Sequence, residues 1–164
     1  MQETPEQKYR RLYKEMSDLC TQQKWGDPFS YARSKEILAA IELGHTIADT
    51  YSGADAFRTA EKLDPLEYKS KTCKGSYTGI SVQPTWREQR IYLREKKLGP
   101  YDHFYNRFEN GKLVESWEVA GRDVYKALLP KLEASYTTVL TKKDPRLSAT
   151  LSWTEIQKFG KRVL

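Results

Sequence analysis

The chain has 164 residues, a length typical of one domain, and 28 Lys and Arg against 22 Asp and Glu residues give a net charge of +6. Its longest apolar run is five residues, Ile37–Ile41, whereas a membrane span needs about 20. The polar amino terminus lacks the pattern of a secretory signal, and the two distant cysteines, Cys20 and Cys73, exclude a zinc ribbon or a disulfide framework. We therefore expect a cytoplasmic protein that enters no membrane, and its positive charge favours a polyanionic partner.

Two helices are predicted at the start of the chain. Thr4-Pro5-Glu6-Gln7 combines an N-cap hydroxyl, a proline at the first helical position and a glutamine three residues after the cap. In this helix, Thr4–Lys24, one apolar stripe is formed by Tyr9, Leu12, Tyr13, Met16, Leu19 and Cys20. We expect the stripe to pack on the protein's own core, with a dimer contact as the alternative. The second helix is predicted to begin at Trp25-Gly26-Asp27-Pro28, to run to Leu43 and to stop at Gly44.

The middle of the chain changes to segments rich in β-branched and aromatic residues, separated by turn residues. These segments predict strands over His45–Thr50, Leu66–Thr72 and Ser76–Val82. A helix follows, because Thr85-Trp86-Arg87-Glu88 is a second capping box, and it is expected to end near Leu98-Gly99-Pro100.

Glu109-Asn110-Gly111 predicts a β-hairpin, since Asn-Gly between two apolar runs favours a tight turn that joins Tyr101–Phe108 to Lys112–Val119. A helix over about Arg122–Tyr136 is expected to be kinked or split by Pro130. Ser152-x-x-Glu155 predicts a last short helix. The order of these elements predicts a mixed α/β domain with a sheet in its middle.

The pair Glu-x-Lys occurs three times, and only one copy is predicted to bring its two side chains together. Glu6/Lys8 and Glu95/Lys97 lie in predicted helices, where residues two apart point about 200° from each other. Glu67 and Lys69 lie in a predicted strand, so both side chains leave the same face. Only this pair can converge on one ligand.

A further acid, Asp55, follows a glycine turn and precedes a predicted strand. If that strand pairs with Leu66–Thr72, Asp55 comes within about 5 Å of Glu67. Two carboxylates this close repel unless a cation lies between them, and magnesium fits because it takes hard oxygen ligands and keeps waters. Lys69 would neutralise charge and orient or activate an attacking water. The alternative is a cross-strand charge pair on the surface.

Glu36 is a third candidate acid. At 100° per residue it falls in the middle of an apolar helix face with Phe29, Ala40 and Leu43. A glutamate there is costly to desolvate unless it is paired or linked to a metal. It is expected either to join the acidic cluster at the sheet or to pair with Arg33, one turn away.

Glu36 on a helix, Gly53-Ala54-Asp55-Ala56, and Glu67-Tyr68-Lys69 on a strand together resemble the PD-(D/E)XK nuclease superfamily. The chain is most similar to the PvuII-like type II restriction endonucleases over roughly Leu43 to Tyr136. It departs from their pattern because no Pro-Asp precedes the site. Asp64-Pro65 is reversed and expected on the opposite face, and Asp49 is the other candidate in place of Asp55.

The resemblance implies a restriction-endonuclease-like core in one endonuclease domain over residues 1–164, with a central mixed β-sheet flanked by helices. Its parts are an N-terminal helix (1–28), a catalytic core (29–136) and a C-terminal extension (137–164). It implies that Asp55, Glu67 and the Tyr68 carbonyl bind Mg²⁺, that Lys69 contacts the attacking water or the scissile phosphate, and that Glu36 supports the metal.

DNA contacts are expected after the catalytic strand. Basic residues there form a predicted phosphate track: Lys71, Lys74, Arg87, Arg90, Arg94, Lys96 and Lys97. In PvuII-like enzymes the following segment, here Gly79–Thr85, reads the major groove, which implies an adenine contact by Gln83 supplemented by Ser81 or Thr85. The alternatives are a solvated helix face and a plain loop. Lys142–Arg146 is expected to be a solvated turn, with a second backbone contact as the alternative.

The leading hypothesis is a Mg²⁺-dependent endonuclease that cuts double-stranded DNA at a short specific site as a homodimer, because two sites related by a two-fold axis suit a palindrome. The alternatives are a repair or recombination nuclease of the same superfamily with little sequence preference, and a non-catalytic nucleic-acid-binding module.

Overall fold

The structure, a computed structural model, describes residues 3–49, 53–70 and 74–164. The helices of these residues are α1 (Pro5–Gln22), α2 (Arg33–Leu43), α3 (Trp86–Tyr92) with a π-helical continuation (Leu93–Lys97), α4 (Gly121–Leu140) and α5 (Trp153–Phe159). The strands are β1 (Thr46–Ile47), β2 (Ala56–Phe57), β3 (Pro65–Lys69), β4 (Lys74–Ser81), β5 (Asp102–Glu109), β6 (Lys112–Val119), β7 (Arg146–Ser152) and β8 (Lys161–Arg162).

The central sheet has the strand order β1-β2-β3-β5-β6-β8, while β4 and β7 form a separate antiparallel pair. Strands β3 and β5 run parallel, and their other neighbours in the sheet pair antiparallel. The prediction of an α/β protein with a mixed central sheet flanked by helices is therefore confirmed.

Local sequence signals explain several boundaries. The predicted capping boxes at Thr4, Thr85 and Ser152 are all formed, so α1, α3 and α5 begin where the sequence indicates. Asn110 and Gly111 have φ values of 48° and 76°, and the tight turn between β5 and β6 requires such left-handed backbone.

Other boundaries differ from the predictions. Helix α2 begins at Arg33, because the Asp27 carboxylate accepts hydrogen bonds from Phe29 N (3.0 Å) and Ser30 Oγ (2.6 Å) and holds the preceding residues in turns. Helix α4 continues through Pro130, so of the predicted kink or split the split does not occur. Of the first predicted strand only Thr46–Ile47 is formed, while Thr50 lies outside the described residues.

The carboxyl-terminal segment holds two strands that the sequence analysis did not predict. Strand β7 pairs with β4, and Leu147, Leu151 and Ile156 are fully buried in the larger core. Strand β8 closes the far edge of the central sheet against β6. The residues predicted as an extension therefore contribute to the main core.

Two hydrophobic cores lie on opposite faces of the central sheet. Adjacent residues of β5 show this, because Tyr105 belongs to the core beneath α4 and Phe104 to the core beneath α2. The stripe of α1 joins the second core only through Cys20. Its other members are 44–71% exposed, so the prediction that the stripe packs on the protein's own core is wrong.

Among the helices of residues 3–49, 53–70 and 74–164, none combines the length and the apolar character that crossing a bilayer requires.

Candidate active site

Strand β3 separates a charged face from an apolar face. Leu66 and Tyr68 are buried in the core beneath α2, while the side chains of Glu67 and Lys69 point to the other face and remain 21% and 20% exposed. The Lys69 ammonium binds the Glu67 carboxylate directly. Period-two alternation therefore brings this pair together, as the sequence analysis expects.

Asp55 lies beside this pair, directly before β2 begins. The pairing of Ala56 with Leu66 leads on to Asp55 and Glu67, and the Asp55 N–H donates to the Leu66 carbonyl at 2.9 Å. The Asp55 carboxylate accepts a hydrogen bond from the Tyr68 N–H at 2.7 Å. Both carboxylates therefore leave the same face of the sheet, next to the start of β2.

The electrostatics of Asp55 indicate crowded negative charge. Burial, together with the charges of Glu67 and Glu36, raises the pKa of Asp55 to about 7, while the Tyr68 N–H and Lys69 act in the opposite direction. An aspartate with this pKa is only partly ionised at neutral pH. A cation at this position would relieve the repulsion and restore the full charge.

Glu36 is held by a buried arginine. Arg33 is 1% exposed, and its guanidinium binds Glu36 at 3.3 Å and the Asp55 carbonyl oxygen at 3.5 Å. Its Nε donates to the Trp25 carbonyl at 2.6 Å, and a second Nη donates to the Ala48 carbonyl. The predicted ion pair with Arg33 is formed, and the same Glu36 is close enough to Asp55 for its charge to raise the Asp55 pKa. The two expectations for Glu36 are therefore compatible.

The donor set suits magnesium. No group of three or more His, Cys, Asp and Glu side chains that could hold a metal ion is found in residues 3–49, 53–70 and 74–164. Magnesium needs fewer protein ligands, because it is usually bound by one or two carboxylates together with waters and substrate phosphate. Asp55 and Glu67 supply two carboxylates. The Tyr68 carbonyl points to the same strand edge as its N–H, beyond the last residue that pairs with β2.

The alternative aspartates lie elsewhere. Asp49 is 56% exposed on the surface, where its carboxylate binds Lys62 Nζ at 2.8 Å. Asp64 is exposed just before β3, three positions from Glu67. The charges that raise the Asp55 pKa come from Glu67 and Glu36. Among these aspartates, Asp55 is therefore the one in the cluster.

Sequence reasoning missed three buried residues beneath Lys69. His103 and Tyr105 lie on β5 directly opposite Glu67 and Lys69, and Tyr77 reaches them from β4. Lys69 Nζ lies 4.9 Å from the centre of the Tyr77 ring. Alternation along β5 places His103 and Tyr105 on one face, but only the parallel pairing with β3 shows that this is the face of Lys69.

The segment predicted to read DNA bases is firmly held. The Gln83 N–H donates to Gln89 Oε1 at 2.7 Å, and the Gln83 carbonyl accepts from Tyr136 Oη at 2.7 Å. The Thr85 hydroxyl is engaged in capping α3, and Ser81 Oγ accepts a hydrogen bond from Arg146 at 3.3 Å. A base contact by Thr85 would therefore compete with its cap.

The predicted phosphate track is exposed where it is described. Arg87, Arg90 and Arg94 line a surface hollow of about 270 Å³ together with Ile91 and Tyr125. The other exposed members are Lys74, Lys96 and Lys97, whereas Lys71 lies outside the described residues. Arg94 is partly neutralised by Glu95 at 2.7 Å. The basic surface of α3 is accessible to a polyanion.

Known protein families and curated proteins offer no match from which a function could be taken. The function is therefore inferred from the arrangement of the side chains.

Proposed function

We propose that the protein is a Mg²⁺-dependent endonuclease that hydrolyses phosphodiester bonds in double-stranded DNA, and that it is a type II restriction endonuclease. The observation that carries this proposal is the cluster of Asp55 and Glu67 beside Lys69, with the pKa of Asp55 raised to about 7 by burial and by its acidic neighbours. Carboxylates that lie this close together and repel each other favour a divalent cation, and the neighbouring Lys69 ammonium suits an anionic substrate.

Each residue has a role in this proposal. Asp55, Glu67 and the Tyr68 carbonyl would hold Mg²⁺, which supplies positive charge to offset the charge that builds up on the scissile phosphate. Lys69 contacts the attacking water or the phosphate. Glu36 is kept next to Asp55 by the buried Arg33, so it supports the ligand set from α2.

The order of elements supports a restriction-endonuclease-like core. Helix α2 precedes three strands, of which the second follows Asp55 and the third carries Glu67 and Lys69, and helix α3 and strand β5 come later. This is the order that the resemblance to PD-(D/E)XK nucleases implies. Strand β4, which lies between the third strand and α3, is an addition to it.

The exposed stripe of α1 supports a homodimer. Two copies are needed if each supplies one active site for one DNA strand. At 100° per residue, Lys8 and Glu15 flank the same side of the stripe on either side of Leu12. An antiparallel copy centred near Leu12 would place Lys8 of one copy beside Glu15 of the other, so the surface is complementary to itself.

The catalytic proposal is tested by incubating plasmid DNA with the protein, with Mg²⁺ or with EDTA. We expect discrete fragments only with Mg²⁺, and their loss in Lys69→Ala. The matched control is Lys131→Ala, which also removes a lysine from an ion pair, with Glu155 at 2.7 Å, but away from the site. A smear of products would favour the nuclease with little sequence preference. Bound but uncut DNA would favour the non-catalytic module and contradict the proposal.

The dimer is tested by sedimentation of Leu12→Glu beside the unaltered protein. We expect the unaltered chain to sediment as a dimer and the variant as a folded monomer, because a buried glutamate opposes association. An unaltered protein that remains monomeric at all concentrations would contradict the dimer.

A further inference from the structure

Three buried side chains form a hydrogen-bonded chain under the proposed catalytic lysine. Tyr77 Oη lies 2.9 Å from His103 Nδ1 and is also hydrogen-bonded to Tyr105 Oη. His103 Nε2 lies 3.0 Å from the Leu98 carbonyl oxygen, just after the π-helical turn. His103 and Tyr105 are each 1% exposed, so water does not complete these bonds.

The direction of every bond in this chain follows from the Leu98 carbonyl, which can only accept. His103 Nε2 must therefore carry the proton, and burial keeps the imidazole neutral by lowering its pKa to about 4. His103 Nδ1 then accepts from the Tyr77 hydroxyl, and the Tyr77 oxygen accepts from Tyr105. The Tyr77 hydroxyl is thus fixed from both sides.

A steric contact supports the same arrangement. A Cβ built on Gly75 would overlap the Tyr105 ring, so the ring lies directly against the β4 backbone at this glycine. Tyr105 cannot move toward β4, and its hydroxyl remains next to that of Tyr77. The orientation of the Tyr77 ring is therefore determined by groups that belong to β4, β5 and the end of the π-helical turn.

The ring so fixed faces Lys69. The ammonium lies 4.9 Å from the Tyr77 centroid, within the range of a cation–π interaction, and its other described partner is Glu67. If a metal ion engages Glu67, the ammonium keeps the Tyr77 ring as a neighbour. The ring can then hold the charge in place when its ion pair weakens.

We propose that Tyr77, held by His103 and Tyr105, is a positioning residue that keeps the Lys69 ammonium over the Tyr77 ring and beside Glu67. The catalytic consequence rests on the proposed function, whereas the positioning of Lys69 does not. Loss of the Tyr77 hydroxyl should leave KM unchanged and lower kcat roughly 10- to 100-fold, since small misplacements of a reacting group have effects of this size.

The first test is NMR of the metal-free protein in EDTA, which needs no cleavage activity. We expect ¹⁵N spectra of the two histidines to show His103 neutral with its proton on Nε2. The Lys69 ε-methylene and ammonium signals, assigned by their loss in Lys69→Arg, should shift in both Tyr77→Phe and His103→Gln. The control is His45→Gln, because His45 Nδ1 binds Tyr68 Oη at 2.6 Å on the opposite face of the sheet.

The second test is the kinetics of DNA cleavage by the same variants. We expect lower kcat at constant KM for Tyr77→Phe and His103→Gln, and unaltered kinetics for His45→Gln. Unchanged Lys69 signals in both folded variants, or a proton on His103 Nδ1, would overturn the positioning role. Absence of cleavage by the unaltered protein would instead overturn the proposed function, and the NMR result would still decide the position of Lys69.

Discussion

The two faces of the central sheet each contain a hydrogen bond between a tyrosine and a histidine, but the surroundings of the two bonds differ. On the face toward α2, Tyr68 binds His45, and the Phe104 ring packs edge-on against both at 4.8–5.8 Å between ring centres. On the face toward α4, the bond between Tyr77 and His103 lies beneath the charged side chains of the candidate site.

Along β3, alternate side chains therefore serve different purposes, because one set packs in the core beneath α2 and the other lies in the candidate site. The first face contributes to folding by burying apolar side chains, which is favourable in proportion to the area removed from water. The second face carries the larger core, but at the candidate site it also gathers carboxylates whose mutual repulsion opposes folding. Neighbouring residues such as Tyr68 and Glu67 can therefore have opposite effects on stability, and substitutions on the two faces should show it.

The largest loss of stability is expected for Phe104→Ala on the first face. Phe104 is 2% exposed, and its removal leaves a cavity, so the free energy of unfolding should fall by about 3–5 kcal/mol. Urea denaturation measures this. Phe159→Ala is the control, because Phe159 is 40% exposed and should cost less than about 1 kcal/mol. Equal effects of the two substitutions would contradict the comparison.

The second face predicts a gain of stability in Asp55→Asn. In the folded, metal-free protein Asp55 has a pKa of about 7, against about 3.9 in an unfolded chain. Unfolding therefore releases its proton between these values, and stability falls as pH rises from about 4 to about 7. Asparagine stays neutral and can still accept from the Tyr68 N–H.

In EDTA the free energy of unfolding of Asp55→Asn should equal that of the unaltered protein near pH 4 and exceed it at pH 8. The difference expected at pH 8 is on the order of 2–4 kcal/mol, which is the free energy that corresponds to a pKa shift of this size. Thermal denaturation across this pH range measures the difference, and DNA cleavage should be lost. A variant that is less stable at pH 8 would show that the Asp55 charge is already compensated.

The smallest effect is expected for the histidines, which test the same bond in two surroundings. His45→Gln should lower the free energy of unfolding by about 0.5–1 kcal/mol, because His45 is only partly buried. His103→Gln should cost about 1–3 kcal/mol, since it leaves buried polar partners at Tyr77 and Leu98. Chemical denaturation of both variants checks this order, and a reversal would contradict it.

Much of the candidate site could be predicted from the sequence because it depends on short-range geometry. Alternation in β3 places Glu67 and Lys69 together, and antiparallel pairing with β2 brings Asp55 beside them. The Tyr77, His103 and Tyr105 chain could not be predicted, since it depends on the parallel pairing of β3 with β5 and on the approach of β4. Strand pairs distant in the chain leave no local pattern.

The fold likewise combines features that local sequence determines with features that depend on contacts between distant parts of the chain. The sequence by itself determined the starts of α1, α3 and α5 and the turn at Asn110-Gly111, because caps and tight turns are made by residues within three or four positions of each other. Only the tertiary structure decided that β7 joins β4, that α4 passes through Pro130, and that most of the α1 stripe remains exposed. An apolar pattern indicates that a face can be buried, but what buries it depends on partners elsewhere in the chain or in another copy.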